Sequence, residues 1–127
     1  MKGLGRWLAG ATGWRPPVIT ASLAHLELVA IHPFRDGNGR TARALACLVL
    51  TRGGLVPGSI CPETLFGEVD RTAYCEAIEA ALGQDYEPGY DATPFVIYVI
   101  TALSAALEHE LSSIRRPVET GTRRLKR

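Results

Sequence analysis

The stretch of sequence that decides the fold runs from residue 32 to residue 43 and reads HPFRDGNGRTAR. A proline follows the histidine, and a residue before proline is pushed out of the helical region, so a helix must end near His32. The glycines permit a tight turn, and segment 40–51, rich in alanine and leucine, favours a new helix. The stretch therefore predicts a helix hairpin with a charged loop at its tip.

Every long element that the sequence predicts on either side of this hairpin is helical. The expected helices cover residues 1–12, about 17–32, 40–51, 62–82 and 94–113. Pro16 and Pro17 open the second helix, because proline is tolerated in a first helical turn. Gly83 would end the fourth helix, and Asp91 or Thr93 would cap the last one. The predicted fold class is all-α, a helical bundle with the HPFRDGNGR loop between two central helices.

Composition and charge narrow the class of protein further. The chain has 127 residues, of which 46% are hydrophobic and 21% charged, values that fit one folded domain and exclude a disordered chain. Residues 115–127 carry six basic side chains and one acid, whereas the remainder has an acidic excess. We therefore expect a core over 1–113 and a basic flexible tail over 114–127. A globally basic nucleic-acid binder is not expected.

Cysteine usage and hydropathy predict the compartment. The three cysteines form no CxxC pair, which argues against a disulfide framework or a zinc knuckle and favours the reducing cytoplasm. The N-terminal residues lack the pattern of a secretory signal peptide. The longest uncharged run, 92–107, has 16 residues, fewer than the about 20 that a membrane span needs. We expect this run to form a buried helix and the protein to have no membrane partner.

The loop and the helix after it carry the residue types of an anion-binding site. A helix N-terminus offers free N–H groups and a partial positive charge. Gly37, Asn38 and Gly39 tolerate positive φ and can fold into a concave nest of N–H groups around one phosphate. Arg40 opens the next helix and Arg43 lies one turn later on the same face, so both guanidinium groups could hold the outer phosphates of a nucleotide.

Three more side chains of the loop have expected roles. Asp36 is a lone carboxylate suited to Mg²⁺, which commonly takes one or two carboxylates plus phosphates, although an aspartate here could also cap the helix. His32 can take a proton from an attacking hydroxyl. We expect Phe34 to anchor the loop in the core. A plain turn with coincidental charges is the alternative, and the combination of these residues within twelve positions argues against it.

The segment HPFRDGNGRTAR resembles the signature of the Fic family, HPFx[DE]GNGRxxR, and every fixed position matches. Two later segments extend the likeness. Residues 70–82, DRTAYCEAIEAAL, are similar to the family pattern (N/D)RxxYYxAL, with Cys75 in place of the second tyrosine, and residues 90–103, YDATPFVIYVITAL, resemble the last core helix of the family. The resemblance covers residues 4–110.

The resemblance implies a protein adenylyltransferase, which transfers AMP from Mg-ATP to a Ser, Thr or Tyr hydroxyl of a target protein. His32 would be the catalytic base, Asp36 would bind Mg²⁺, and Tyr74 would line the nucleobase pocket. The implied phosphate-binding residues are Gly37, Asn38 and Gly39 for the α-phosphate, Arg40 for the β-phosphate and Arg43 for the γ-phosphate. Two alternatives stay open. One is a transferase that uses another nucleotide or phosphocholine, and the other is a truncated, catalytically impaired fragment that binds a nucleotide or a partner.

The sequence also departs from the family pattern. Family members place a β-hairpin flap upstream of the first helix, where it holds the target by strand addition, and we expect this flap hairpin to be missing here. Apolar surface left uncovered would favour a homodimer. Segment 104–108, SAALE, partly matches the inhibitory pattern [ST]xxxE[GN], but His109 follows it. We interpret this as a chance match, so that an inhibitor would be a separate antitoxin-like protein or an upstream segment.

Overall fold

A computed structural model describes residues 2–11, 13–57, 60, 65–66, 71–85 and 89–125, with the backbone alone for residues 11 and 116–125. Within these ranges the secondary structure is helical and includes no strand. The helices are α1 (Lys2–Ala11), α2 (Pro17–Ile31), α3 (Asn38–Arg52), α4 (Arg71–Leu82) and α5 (Thr93–Leu125). The predicted all-α fold class is confirmed.

Helices α2 and α3 form the central hairpin, and both of its ends are fixed by backbone conformation. At the loop end, α2 stops at Ile31, and His32 turns into the left-handed region with φ 48°. At the other end, a Cβ atom added to Gly53 would collide with the Pro17 ring. Glycine therefore lets the end of α3 approach the start of α2 closely, as it does wherever two backbones meet.

The core is built where α2, α3 and α5 meet. Leu26, Leu50, Phe95 and Val99 are completely buried there. A smaller cluster of Leu4, Leu28 and Ala42 attaches α1 to the hairpin. Burying a leucine or phenylalanine side chain is worth roughly 1.5–3 kcal/mol, so packing against the body, rather than helix propensity, holds these elements in place.

The two later helices test the predicted boundaries. Helix α4 ends at Leu82, and Gly83 follows with φ 66°, as predicted. The residues predicted to precede α4 in one continuous helix from Pro62 lie largely outside the described residues. The predicted cap of α5 is confirmed, because the Asp91 carboxylate accepts the N–H of Thr93 at 2.9 Å. Hydrogen bonds from the side chain and the backbone N–H of Thr93 lower the pKa of Asp91.

The prediction that the last helix ends at about Ser113 is wrong, because α5 continues to Leu125. The hydroxyls of Ser112 and Ser113 donate to the carbonyl oxygens of Glu108 and His109, one turn earlier, so the serines are accommodated inside the helix. Arg115, Glu119 and Leu125 are good helix formers, whereas Pro117 and Gly121 are not, so propensity alone does not account for the extension. The boundary between the core and a basic tail at residue 114 stays a prediction.

Helix α5 is only partly the buried helix that the hydropathy predicts. Phe95, Val99 and Ala106 are buried on one face. By length and composition alone, the segment Thr93–Arg115 is nevertheless long and apolar enough to cross a membrane. Only 22% of its most apolar stretch of 18 residues is buried in the protein. The helix therefore has a core face and an uncovered apolar face.

Candidate functional site

The loop between α2 and α3 is held closed by the side chain of Asn38. Its Oδ1 accepts the N–H of Phe34 at 2.9 Å, and its Nδ2 donates to the carbonyl oxygen of Phe34 at 2.7 Å. Asn38 is buried, so water competes little for these two bonds. The loop therefore has one defined shape before any ligand binds.

The backbone of the loop differs from the predicted nest. Among the three residues that tolerate positive φ, only Gly37 adopts it, at 83°. Asn38 and Gly39 are already the first residues of α3. With this helical backbone, the Asn38 side chain reaches the backbone of Phe34. The candidate anion site, which we call the cradle, thus consists of left-handed Gly37 followed directly by the N-terminus of α3. It offers the N–H groups of a helix start in place of a nest of three turn residues.

The N-terminus of α3 is open to an anion. No side chain caps this helix, and its first turn contains no acidic residue. The N–H of Gly37 donates to the Asp36 carboxylate at 2.7 Å, so the following N–H groups of the first turn are the ones that could bind an anion. Free N–H groups and the positive end of a helix dipole bind phosphate well.

Asp36 and Arg40 form an ion pair on the surface of this cradle. Arg40 Nη2 lies 3.1 Å from Asp36 Oδ2, and the side chains are 70% and 90% exposed, respectively. Exposed pairs of this kind contribute only about 0–1 kcal/mol, so a ligand can separate them at low cost. The alternative role of Asp36 as the helix cap is wrong, because Gly37 occupies the cap position without a side-chain bond.

The donor set at Asp36 fits a magnesium ion that arrives with phosphates. Among the described residues, no group of three or more His, Cys, Asp or Glu side chains could hold a metal. A single exposed carboxylate beside a phosphate cradle is nevertheless what Mg²⁺ uses when the phosphates and water supply its other ligands. Asp36 could therefore supply one ligand to an ion whose other ligands come from phosphates and water.

Arg43 and Tyr74 bring α3 and α4 together beside the loop. The Arg43 guanidinium carbon lies 5.6 Å from the centre of the Tyr74 ring. Burial raises the pKa of Tyr74, and a hydrogen bond and the positive charge of Arg43 oppose that shift. Tyr74, predicted to line a nucleobase pocket, thus contacts one of the arginines predicted to bind phosphate.

His25 completes this contact from the core. Its Nε2 lies 2.9 Å from the Tyr74 hydroxyl, and its ring stacks between Phe95 and Phe66 at centroid distances of 4.6 and 5.6 Å. Burial, with Arg43 adding to it, lowers the pKa of His25 to about 3, so the imidazole is neutral at physiological pH. His25 and Tyr74 are 49 residues apart, and no local sequence pattern could have paired them.

The expectation that Phe34 anchors the loop in the core is wrong. The side chain is 44% exposed. The backbone bonds of Phe34 to Asn38 hold the loop instead, so the ring has no need to be buried. Together with the exposed side chains of His32, Asp36 and Arg40, it makes the site an open surface.

A large cleft lies away from this surface. It has a volume of about 760 Å³ and is lined by residues that include Leu8, Arg15, Pro17, Leu48 and Arg52. Because α2 begins at Pro17 and α3 ends at Arg52, the cleft is at the far end of the hairpin. A 15-residue helix is about 22 Å long, so the cleft is remote from the loop residues.

In the part of the chain that the structure describes, the protein is helical and carries an uncapped helix N-terminus after the loop between its two central helices. The chain belongs to the Fic family: residues 1–50 match the family model described as Fic/DOC family. It is 36% identical over 100 residues to protein adenylyltransferase fic-1 of Caenorhabditis elegans, which covers 78% of this chain and 17% of that protein. No solved structure matches it significantly.

Two further relatives carry the same kind of name. Protein adenylyltransferase Fic of Nematostella vectensis is 35% identical over 97 residues, which is 76% of this chain and 20% of that protein. Protein adenylyltransferase Fic of Drosophila grimshawi is 40% identical over 72 residues, which is 57% of this chain and 14% of that protein. The chain therefore spans a fifth or less of the length of these relatives.

Proposed function

We propose that this chain transfers AMP from ATP to a hydroxyl of a target protein. The observation that carries the proposal is the uncapped N-terminus of α3, with exposed His32, Asp36 and Arg40 around it on a loop closed by Asn38. An anion cradle, an exposed imidazole and a lone carboxylate are the parts that nucleotidyl transfer needs. The names of the relatives point to the same reaction.

In the proposed reaction, His32 acts as the general base. It takes the proton of the attacking serine, threonine or tyrosine hydroxyl, and the oxygen of that hydroxyl forms a bond to the α-phosphorus of ATP. The bond from the α-phosphorus to the bridging oxygen breaks on the opposite side, and pyrophosphate leaves. His32 lies exposed directly after α2, at the edge of the cradle. Positioning and charge neutralisation supply most of the rate in such transfers.

The phosphates would be held by backbone and arginine groups of α3. The N–H groups of Asn38 and Gly39 would bind the α-phosphate, Arg40 the β-phosphate and Arg43 the γ-phosphate. The Asn38 side chain is bonded to Phe34 on both of its polar atoms, so it supports the cradle by shaping the loop. A Cβ atom at Gly39 would lie 3.4 Å from Arg43 Nη1, and glycine therefore leaves the arginine room to reach a phosphate.

Asp36 would hold the Mg²⁺ that accompanies ATP. The ion, when bound, neutralises charge on the phosphates and on the departing pyrophosphate. The carboxylate is exposed, and its present partners are the N–H of Gly37 and the guanidinium of Arg40. Asp36 can therefore turn one oxygen toward a cation while it keeps its bond to Gly37.

Label transfer tests the proposal. The chain is incubated with ATP labelled at the α-phosphate, Mg²⁺ and a cell lysate, and protein-bound label is measured after gel separation. We expect labelling that disappears in His32→Ala and persists in Arg35→Ala, a matched change at an exposed residue of the same loop. Equal labelling by the His32→Ala variant would refute the role of the imidazole. A parallel reaction with ATP labelled at the γ-phosphate should leave protein unlabelled, and protein-bound label in it would identify a different transfer.

A second candidate is a nucleotide-binding module that does not transfer. The observation that favours it is the uncapped N-terminus of α3, which can bind the phosphates of a nucleotide without any target protein. Calorimetric titration with ATP, combined with the label-transfer assay described above, separates the two candidates. Binding without any label transfer supports the module, whereas binding with transfer supports the enzyme.

A further inference from the structure

Helix α5 carries an apolar stripe on the side that the core leaves open. Its positions are Ile97, Ile100, Ser104, Leu107, Leu111 and Ile114, separated alternately by three and four residues. The side chains of Ile97, Ile100, Leu111 and Ile114 are between 46% and 63% exposed. Leu107 is half-buried at the border of the core. We call these six positions the α5 seam.

The seam is a separate face from the one that packs on the body. Phe95, Val99 and Ala106 form the buried face of the same helix. At about 100° per residue, the centre of the seam lies roughly 120° around the helix from these buried positions. The seam is thus not a frayed part of the core, and the body holds the helix in place while its seam faces outward.

The alternation of three and four residues is the a and d pattern of a coiled coil. Ile97, Ser104 and Leu111 take the a positions, and Ile100, Leu107 and Ile114 the d positions. This assignment places Glu110 at a g position and Arg115 at the e position of the next heptad. In a parallel, in-register pair, a g residue of one helix lies against that following e residue of the other.

We propose that the α5 seam is a dimer interface that pairs with the same seam of a second copy of this chain in a parallel, in-register coiled coil. Charge complementarity selects this occupant, because a second copy arranged in this way sets Glu110 against Arg115 twice, once on each side of the two-fold axis. The seam covers fewer than three heptads, so the dimer is weak and concentration-dependent. Each helix is already ordered by its own body, which lowers the cost of pairing.

A membrane is the competing occupant of this apolar face, and the structure favours the second copy. Insertion of Thr93–Arg115 would pull Phe95 and Val99, both completely buried, out of the core. It would also carry Glu108, Glu110 and Arg115 toward hydrocarbon, where ionised side chains are costly. A paired seam keeps the core intact and leaves these charges at the edge of the interface.

Disulfide trapping tests the proposed register. Ser104→Cys is made in a chain that also carries Cys61→Ser and Cys75→Ser, and the product of mild oxidation is run on a non-reducing gel. In a parallel, in-register pair, the two a positions face each other, so we expect rapid formation of a linked dimer. Ser112→Cys is the matched control, because this exposed serine lies on the same helix away from the seam. Equal cross-linking of the two variants would overturn the proposal.

Sedimentation equilibrium tests the chemistry of the interface. We expect the wild-type chain to dimerise and Leu111→Glu to be monomeric with unchanged helicity by circular dichroism, since Leu111 is exposed in the single chain. Glu110→Arg should raise the dimer dissociation constant about tenfold, because it replaces two weak attractions by two repulsions. The double change Glu110→Arg with Arg115→Glu should return the dimer dissociation constant to the wild-type value. Failure of the double change to restore pairing would overturn the parallel arrangement.

The same samples decide between the two occupants. A wild-type chain that stays monomeric at all concentrations and co-floats with phosphatidylcholine vesicles would overturn the proposal in favour of a membrane. A chain that stays monomeric and does not co-float with vesicles would overturn the proposed dimer without supporting a membrane. None of these measurements requires adenylyl transfer, so their outcome is independent of the proposed function.

Discussion

The Nε2 atom of His25 lies 2.9 Å from the Tyr74 hydroxyl, and this contact connects α2 to α4 inside the core. The Tyr74 ring in turn lies next to the Arg43 guanidinium at the edge of the candidate site. A buried pair thus supports the arginine that we propose for the γ-phosphate. The stability of the core and the geometry of the cradle are coupled through one tyrosine.

Tyr74→Phe should lower the free energy of unfolding by about 1–3 kcal/mol, because it leaves the buried His25 Nε2 without its partner. Urea unfolding followed by circular dichroism measures this loss. Tyr90→Phe is the matched control: its hydroxyl donates to Glu27 at 2.6 Å, but both residues are partly exposed, so water can replace the lost bond. A loss in Tyr74→Phe no larger than in the control would contradict the importance of the buried pair.

The stability of the fold should fall as the pH drops from about 6.5 toward 3. Folding lowers the pKa of His25 from 6.5 to about 3, so in this window the unfolded chain binds a proton that the folded chain refuses. Each pKa unit corresponds to about 1.4 kcal/mol, which gives a loss on the order of 5 kcal/mol when the window is crossed completely.

The wild-type chain allows a direct check of this pH effect by NMR. The imidazole signals of His25 should keep the shifts of the neutral ring from pH 7 to pH 4 while the protein remains folded. The His25→Gln variant should lose less stability than the wild type over the same interval, which separates His25 from the carboxylates. A His25 signal that titrates near pH 6.5 in the folded protein would be inconsistent with this burial.

Gly39→Ala should weaken ATP binding without destabilising the fold. The new methyl group would lie 3.4 Å from Arg43 Nη1, an ordinary van der Waals contact that restricts the movement of the guanidinium toward a phosphate, whereas alanine in a helix is favoured over glycine by up to about 1 kcal/mol. Gly3→Ala in α1 is the control, since its methyl would meet nothing within 4 Å. Calorimetry and thermal unfolding measure both effects, and unchanged ATP affinity in Gly39→Ala would remove Arg43 from the proposed site.

Asp36→Ala should abolish the Mg²⁺ dependence of ATP binding while the melting temperature stays within error. Its side chain is 90% exposed, so the fold does not depend on it, and it is the only carboxylate that we place beside the phosphates. Asp85→Ala, at another exposed aspartate, should leave the metal dependence intact. An unchanged metal titration in Asp36→Ala would disprove its role as a ligand.

Local features of the fold were predictable because they follow from local chemistry. The proline after His32 and the glycine at 83 set helix ends that depend only on backbone sterics. The Asp91 cap likewise needs only the two residues that follow it. The charged side chains of the loop were identified for the same reason, since they lie within one short segment.

Features that depend on tertiary contacts could not be predicted. The bond between His25 and Tyr74 joins distant segments, and the exposure of Phe34 depends on what packs over the loop. The helical backbone of Asn38 could not be predicted either, because it accompanies the two hydrogen bonds between its side chain and Phe34 across the turn. The extension of α5 shows the same limitation, because serine hydroxyls can either end a helix or bond within it.

The ion pair between Asp36 and Arg40 has a consequence for ligand choice. A naked polyanion that approaches the loop meets a carboxylate as well as a guanidinium, so part of its attraction is cancelled. A chelated nucleotide brings a cation that draws the carboxylate away and releases the arginine. If Asp36 holds the ion as proposed, the pair would favour a chelated over a free nucleotide by at most about 1 kcal/mol before any bond is made or broken.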